Sequence, residues 1–145
     1  MQIILQRAGV PETSKQLFAR LMQEDLIPVE ALSSVVESYR RVIADAARKN
    51  GRANSPLGNK IADALQVLLG RVSERTGEEN MRILQAAVRY FVIQNDGVGH
   101  DLDSAEGLFD DARIINAVLW FYGRDELQVP VPEPVANRAP PPKKR

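Results

Sequence analysis

Apolar residues in this chain recur at intervals of three and four and almost nowhere at intervals of two. The longest example is Val29, Leu32, Val35, Val36, Tyr39, Val42, Ile43 and Ala46. Residues at that spacing share one side of a 3.6-residue helix but would scatter across both faces of a strand. Such a stripe has to be buried against other helices, which makes a sheet an unsuitable main layer. Pro28 ahead of the stripe suits a first helical turn, and Asn50-Gly51 behind it supplies a stop. The expected helix covers about residues 28–49.

The same pattern predicts four more helices. Thr13 and Gln16 have capping-box spacing, and Leu17, Phe18, Leu21 and Met22 follow on one face, giving a helix at about 14–25. RANSPLGN (52–59) reads as a loop, with Ser55-Pro56 as cap and first position. Leu57, Ile61, Leu65, Leu68, Leu69 and Val72 then form a helix that ends before Gly77. Glu78 and Glu79 open the next one, where acids suit the helix dipole; its face carries Met81, Leu84, Val88, Phe91 and Val92. The last contains Leu108, Ile114, Ile115, Val118, Leu119 and Tyr122 and ends at Gly123. Asp103 or Ser104 is its expected N-cap, with Glu106 in the first turn. Ile3 to Leu5 fits a short strand or a helical turn equally well. The expected fold class is all-α, a single-domain bundle of about five helices over residues 1–128.

The chain changes character at residue 129. From Pro130 onward, PVPEPVANRAPPPKKR holds six of the nine prolines and closes on Lys143, Lys144 and Arg145. With little to bury, residues 129–145 are expected to form a disordered, Pro-rich basic tail of extended conformation. Such a tail is either a solvated end or a segment read by a proline-recognising groove or an acidic surface.

Composition narrows the classes further. A length of 145 residues fits one domain. The absence of cysteine excludes disulfides, thiolate nucleophiles and thiolate metal sites, and fits a reducing cytoplasm. No apolar run reaches the ~18 residues of a membrane span, and MQIILQRAGVP has too short an apolar core for a signal peptide. A cytoplasmic location is the expectation.

Formal net charge is zero, yet it is unevenly distributed. Asn95 to Asp111 contains six acids (Asp96, Asp101, Asp103, Glu106, Asp110 and Asp111) and no Lys or Arg, leaving 19 bases against 13 acids elsewhere. Arg40, Arg41, Arg48, Lys49 and Arg52 cluster on or just after the long helix, with Asp45 as the one acid among them. An acidic pole and a basic ridge are expected, able to set orientation and association rate in a salt-dependent way.

Candidate chemistry concentrates in the acidic window. His100, the only histidine, stands in GVGHDLD, where it reads either as an exposed turn histidine, neutral near pH 7, or as a ligand joining Asp96, Asp101 and Asp103 around a hard divalent cation. The spacing is not that of an EF-hand, because the closing Glu is missing. Asp110 and Asp111, adjacent on a helix, diverge by ~100°. Asp110 is expected to pair with Arg113 three residues on. Asp111 should turn toward the core side, where a carboxylate needs donors such as the amides of 97–102 or Arg89. Gly97 and Gly99 lack the strand and third glycine of a dinucleotide fingerprint, and no nucleophile–base arrangement or phosphate loop occurs. No enzyme activity and no other cofactor are expected. Trp120, Phe121 and Tyr122 cover three directions of the last helix. A monomer can bury two of them, leaving the third for a partner contact or for cover by the tail, unless all three simply pack into the core.

Residues 90–112 resemble the YkvA-like family of small bacterial helical domains, which has no assigned biochemical function. YFVIQND ends on Asp96 at the offset of the family's aromatic-rich helix end, GLFDDA supplies Gly107, Asp110 and Asp111, and NMRILQAAV matches the preceding helix. The family's apolar Leu-Ile-Pro-Asp loop is replaced by Gly97-Val98-Gly99-His100, and its following Ile-Pro turn by Asp101-Leu102-Asp103-Ser104, one residue longer. The resemblance covers about residues 60–122. It implies a helical domain, marks Asp96, Asp110 and Asp111 as positions to test, and lends no enzyme. The more hydrophilic loop argues against the membrane association that apolar versions suggest.

Three functions follow as expectations. The first is a non-enzymatic cytoplasmic interaction module whose acidic segment 95–111 and last helix bind a protein partner or a second copy. The second is nucleic-acid binding through the basic ridge and tail. The third is a carboxylate metal site with hydrolytic potential on Asp96, His100, Asp101, Asp110 and Asp111.

Overall fold

The computed structural model describes residues 2–93, 102, 104 and 106–132. Among these, six α-helices follow one another: α1 (Gln2–Ala8), α2 (Glu12–Leu21), α3 (Val29–Asn50), α4 (Ser55–Leu69), α5 (Glu78–Val92) and α6 (Phe109–Phe121). A 3₁₀ turn at Asp125–Leu127 comes after them, and no described residue lies in a strand. The fold class is all-α, as expected, with one helix more than the periodicity revealed. The additional element is α1, which resolves the ambiguity at Ile3 to Leu5 in favour of a helix.

Local signals explain most boundaries. α3 starts after Pro28, whose carbonyl accepts from the amides of Ala31 and Leu32. It stops at Gly51, whose φ of 68° is a left-handed conformation that glycine adopts without strain. α4 is capped by Asn54, whose side chain accepts from the Leu57 amide at 3.2 Å, rather than by Ser55. α2 does not use the Thr13–Gln16 box: its N-cap is Pro11, and the helix is over by Leu21. α6 begins at Phe109, five residues after Ser104, so neither Ser104 nor Glu106 belongs to it; Leu108 is its N-cap.

α6 is the axis of the bundle. Asp111, Ala112, Ile114, Ile115, Ala117, Val118 and Leu119 are all buried, so its apolar surface wraps most of the circumference. Such a helix needs cover on several sides. α1, α4 and α5 pack against it, and so does the 3₁₀ turn. α2 lies on α5, and α3 lies on both α4 and α5, where Tyr39 and Phe91 meet edge to face at 5.1 Å. Gly123, at φ 72°, closes α6: its amide bonds the Trp120 carbonyl and the Arg124 amide bonds the Leu119 carbonyl at 2.8 Å.

That turn sends the chain back along α6. Asn116 pairs with both backbone groups of Val129, donating to its carbonyl at 2.9 Å and accepting from its amide at 2.8 Å. Arg113 donates to the Pro132 carbonyl at 3.0 Å. Val129 is buried. Residues 129–132, placed with the tail from sequence, are therefore bound to the helical body, and the remaining tail residues lie outside the described ones.

The loop between α2 and α3 is held by α5. The buried Gln85 accepts from the Ile27 amide at 2.9 Å and donates to the Asp25 carbonyl at 2.8 Å. Arg82 donates to the carbonyls of Met22 and Glu24 at 3.2 and 2.7 Å. Replacing Gln85 by Ala removes both partners of a part-buried backbone pair, so we expect a loss of ~1–3 kcal/mol in a denaturant titration. A change within ~0.5 kcal/mol would show that Gln85 does not hold the loop.

Candidate functional site

The acidic window leaves α5 and enters α6. Near the end of α5, Tyr90 and Phe91 are both fully buried, so the departure point is fixed in the core. The return is fixed by Leu102 and Leu108, both buried. A Cβ on Gly58 of α4 would come within 2.8 Å of Ile43 Cδ1 and 3.4 Å of Leu108 Cδ1. The absence of a side chain at Gly58 is thus what lets α3, α4 and the entrance of α6 approach one another. Asp96, His100, Asp101 and Asp103 lie outside the described residues.

The two adjacent carboxylates take different roles, as their helical spacing predicts. Asp110 pairs with Arg113 at 2.8 Å, and both side chains are largely shielded. Arg113 also stacks over Phe109, 5.8 Å from the ring centre. Asp111 turns inward and is fully buried. Both carboxylates sit in the first turn of α6, where the helix dipole favours negative charge. Arg89, an expected donor for Asp111, forms an ion pair with Glu24 at 3.3 Å. Diverging in this way, one outward to a cation and one into the core, the pair does not present a shared carboxylate face to a substrate. Among the described residues, no group of three or more His, Asp or Glu could hold a metal ion. Glu106 is exposed and has no ion pair with a described residue.

The basic ridge is divided by the fold. Arg40 is a strut between α3 and α4. It contacts Glu37 at 3.1 Å, Asp63 at 3.0 Å and the Asn59 side chain at 3.2 Å. Gln66 completes the junction, donating to Glu37 at 2.9 Å and to the Ser33 carbonyl at 3.0 Å. Hydrogen bonds from Arg40 first and Gln66 second hold the Glu37 carboxyl below its ordinary value, and the same contact with Glu37 raises Arg40. Arg48 is paired with Asp45. Arg41, Lys49 and Arg52 are exposed without an ion pair among the described residues. A continuous five-residue cationic surface is therefore corrected to three exposed cations beside one already paired.

The aromatic run is divided as well. Trp120 is covered by the Arg7 guanidinium, 4.3 Å from the ring centre, which ties α1 to α6. The Tyr122 hydroxyl donates to the Asn80 carbonyl on α5, and burial pushes its pKa up to about 12. Phe121 remains 37 % exposed, packed edge to face on Tyr122. Two aromatics are engaged and one is open, the partition expected from three directions on one helix. The body of α6, by contrast, is largely interior among the described residues.

One grouping was missed in the sequence reading. Arg71, Ser73, Arg75 and Thr76 from the α4–α5 loop line a single crevice with Tyr122 and Arg124. The alternation of arginine and hydroxyl in RVSERT is visible in the sequence, but Arg124 is contributed from some fifty residues further along.

No helix of the described residues is long and apolar enough to cross a membrane. Compared with known protein families, with curated proteins and with solved structures, the chain matches none.

Asp111 should matter more to stability than Asp110. Truncating a fully buried carboxylate disturbs every group packed around it, so Asp111→Ala is expected to cost ~2–4 kcal/mol. Asp110→Ala loses a partly shielded ion pair, worth ~0.5–1.5 kcal/mol. Paired urea titrations decide the order; equal losses would contradict the assignment of Asp111 as the structural member.

Proposed function

We propose that this protein is a non-enzymatic interaction module, and that its contact element is the acidic segment 95–111 presented between the ends of α5 and α6. The observation that carries this reading is the concentration of acids in one short window of the chain. Six acids occupy the window with no base among them. Asp111 is spent inside the core and Asp110 on Arg113. An ion pair and burial at the α6 entrance account for those two, and Glu106 is left exposed. Negative charge concentrated in one short stretch of chain between α5 and α6 suits a basic surface on a protein partner or a second copy of the chain, with Phe121 as an apolar contact available at the other end of α6.

The nucleic-acid reading has less support, since Arg40 is an internal strut and Arg48 is already paired. The metal reading has less support as well, because Asp110 and Asp111 diverge. The likeness of residues 90–112 to the YkvA-like family fits a helical module of this kind and adds no activity to it. A cytoplasmic setting is part of the same proposal.

The test neutralises the other four acids of the window, with Asp96→Asn, Asp101→Asn, Asp103→Asn and Glu106→Gln combined. The variant and the unchanged protein are compared in cross-linked capture from the host and in light scattering at low and high salt. The expected result is a partner or a self-associated species that is present at low salt, weakened by high salt and absent in the variant. The same captures and the same mass for both proteins would overturn the proposal.

A further inference from the structure

The loop between α4 and α5 and the end of α6 enclose a crevice of about 420 Å³. Its floor is apolar, from Leu68, Val72, Leu84 and the Tyr122 side chain, and its polar lining is rich in donors. Arg71, Arg75 and Arg124 contribute three guanidinium groups. Arg124 is paired with Glu126 at 2.6 Å, whereas Arg71 and Arg75 have no ion pair with any described residue. Glu74, in the same loop, does not line the crevice.

The hydroxyls are arranged to the same end. Thr76 Oγ1 accepts from the Ser73 amide at 3.1 Å, and Ser73 Oγ accepts from the Arg75 amide at 3.2 Å. With lone pairs committed to backbone amides, each hydroxyl keeps its proton to donate. The Tyr122 hydroxyl is directed at the Asn80 carbonyl, so its ring, not its oxygen, serves the crevice. The positive field extends past the crevice itself: the Glu126 carboxyl is held low first by its own backbone amide, then by Arg124, with a further contribution from Arg71.

We infer that this crevice is a binding site for a small phosphate monoester carrying an apolar or aromatic group. Two guanidinium groups without an ion pair among the described residues match the two charges of a phosphate monoester, and arginine forks suit its oxygens. Ser73 and Thr76 supply neutral donors to the same group, and the apolar floor takes the organic part. The site is separate from the acidic segment, and it stands or falls independently of the proposed interaction function.

Phenyl phosphate is the probe. Titrated into the full-length protein, it should bind saturably with a Kd on the order of 0.01–1 mM, tighter than inorganic phosphate, with amide shifts in nuclear magnetic resonance centred on residues 71–76. Arg71→Gln combined with Arg75→Gln should weaken it at least about tenfold. Both side chains are exposed, so the fold should survive, and the unchanged dispersion of the spectrum verifies that. Arg41→Gln combined with Lys49→Gln, on the basic ridge of α3 and away from the crevice lining, should leave binding unaltered. Absence of saturable binding up to about 10 mM, or equal weakening by both pairs of substitutions, would overturn the assignment. So would displacement of the roles, in which a peptide of residues 95–111 binds through Arg71 and Arg75 while phenyl phosphate does not.

Discussion

Everything in this fold is organised around covering α6. Its buried positions run around most of the helix, and each fully buried Ile, Leu or Val contributes ~1.5–3 kcal/mol only if water is kept off it. No single neighbour can do that. α4 and α5 cover two sides, α1 a third, and the chain after Gly123 returns to cover what remains. The polar residues of α6 fit the same requirement. Arg113, Asn116 and Trp120 do not point into open solvent but engage Pro132, Val129 and Arg7 respectively. An element as short as α1, which has few helix-stabilising features of its own, is helical because α6 gives it a surface to pack on.

This arrangement also limits where function can reside. A helix consumed by the core has only its ends to offer. At its N-terminal end the acidic segment is anchored through Leu102, Leu108 and Asp111; at its C-terminal end Phe121 and the arginine-lined crevice are exposed. The net charge of zero thus conceals an acid-rich stretch of sequence leading into one end of this buried rod and an arginine-lined crevice at the other, and a charge count along the chain detects only the first. The basic cluster on α3 is less informative than its sequence suggests, because Arg40 is used to join α3 to α4 through Glu37, Asp63 and Asn59.

Much of the fold was legible where a helix carries its own signals. α3 and α5 fall within a residue of expectation, since Pro28 and Gly51 bracket the first and Glu78-Glu79 open the second. Legibility fails where tertiary contact decides. The polar residues near 103–106 advertise a helix start, but α6 waits until Leu108 has been buried beside Gly58 and Ile43. α1 was ambiguous because three apolar residues cannot define a period. At the site, the split between Asp110 and Asp111 followed from helical geometry alone. The cover over Trp120 did not, as it comes from Arg7 more than a hundred residues away. The return of residues 129–132 was masked by prolines that read as tail, although Asn116 holds that backbone by two hydrogen bonds.

If covering α6 is what holds the fold together, α6 is the last element to be exposed when the protein opens. Native-state hydrogen exchange of the Ile114 to Leu119 amides tests it most directly. The account predicts that these amides exchange only through global unfolding, with a free energy equal to that from denaturant titration and at least as high as that of any amide in α3. Exchange of the α6 amides through a smaller opening, while α3 and α4 stay protected, would contradict it.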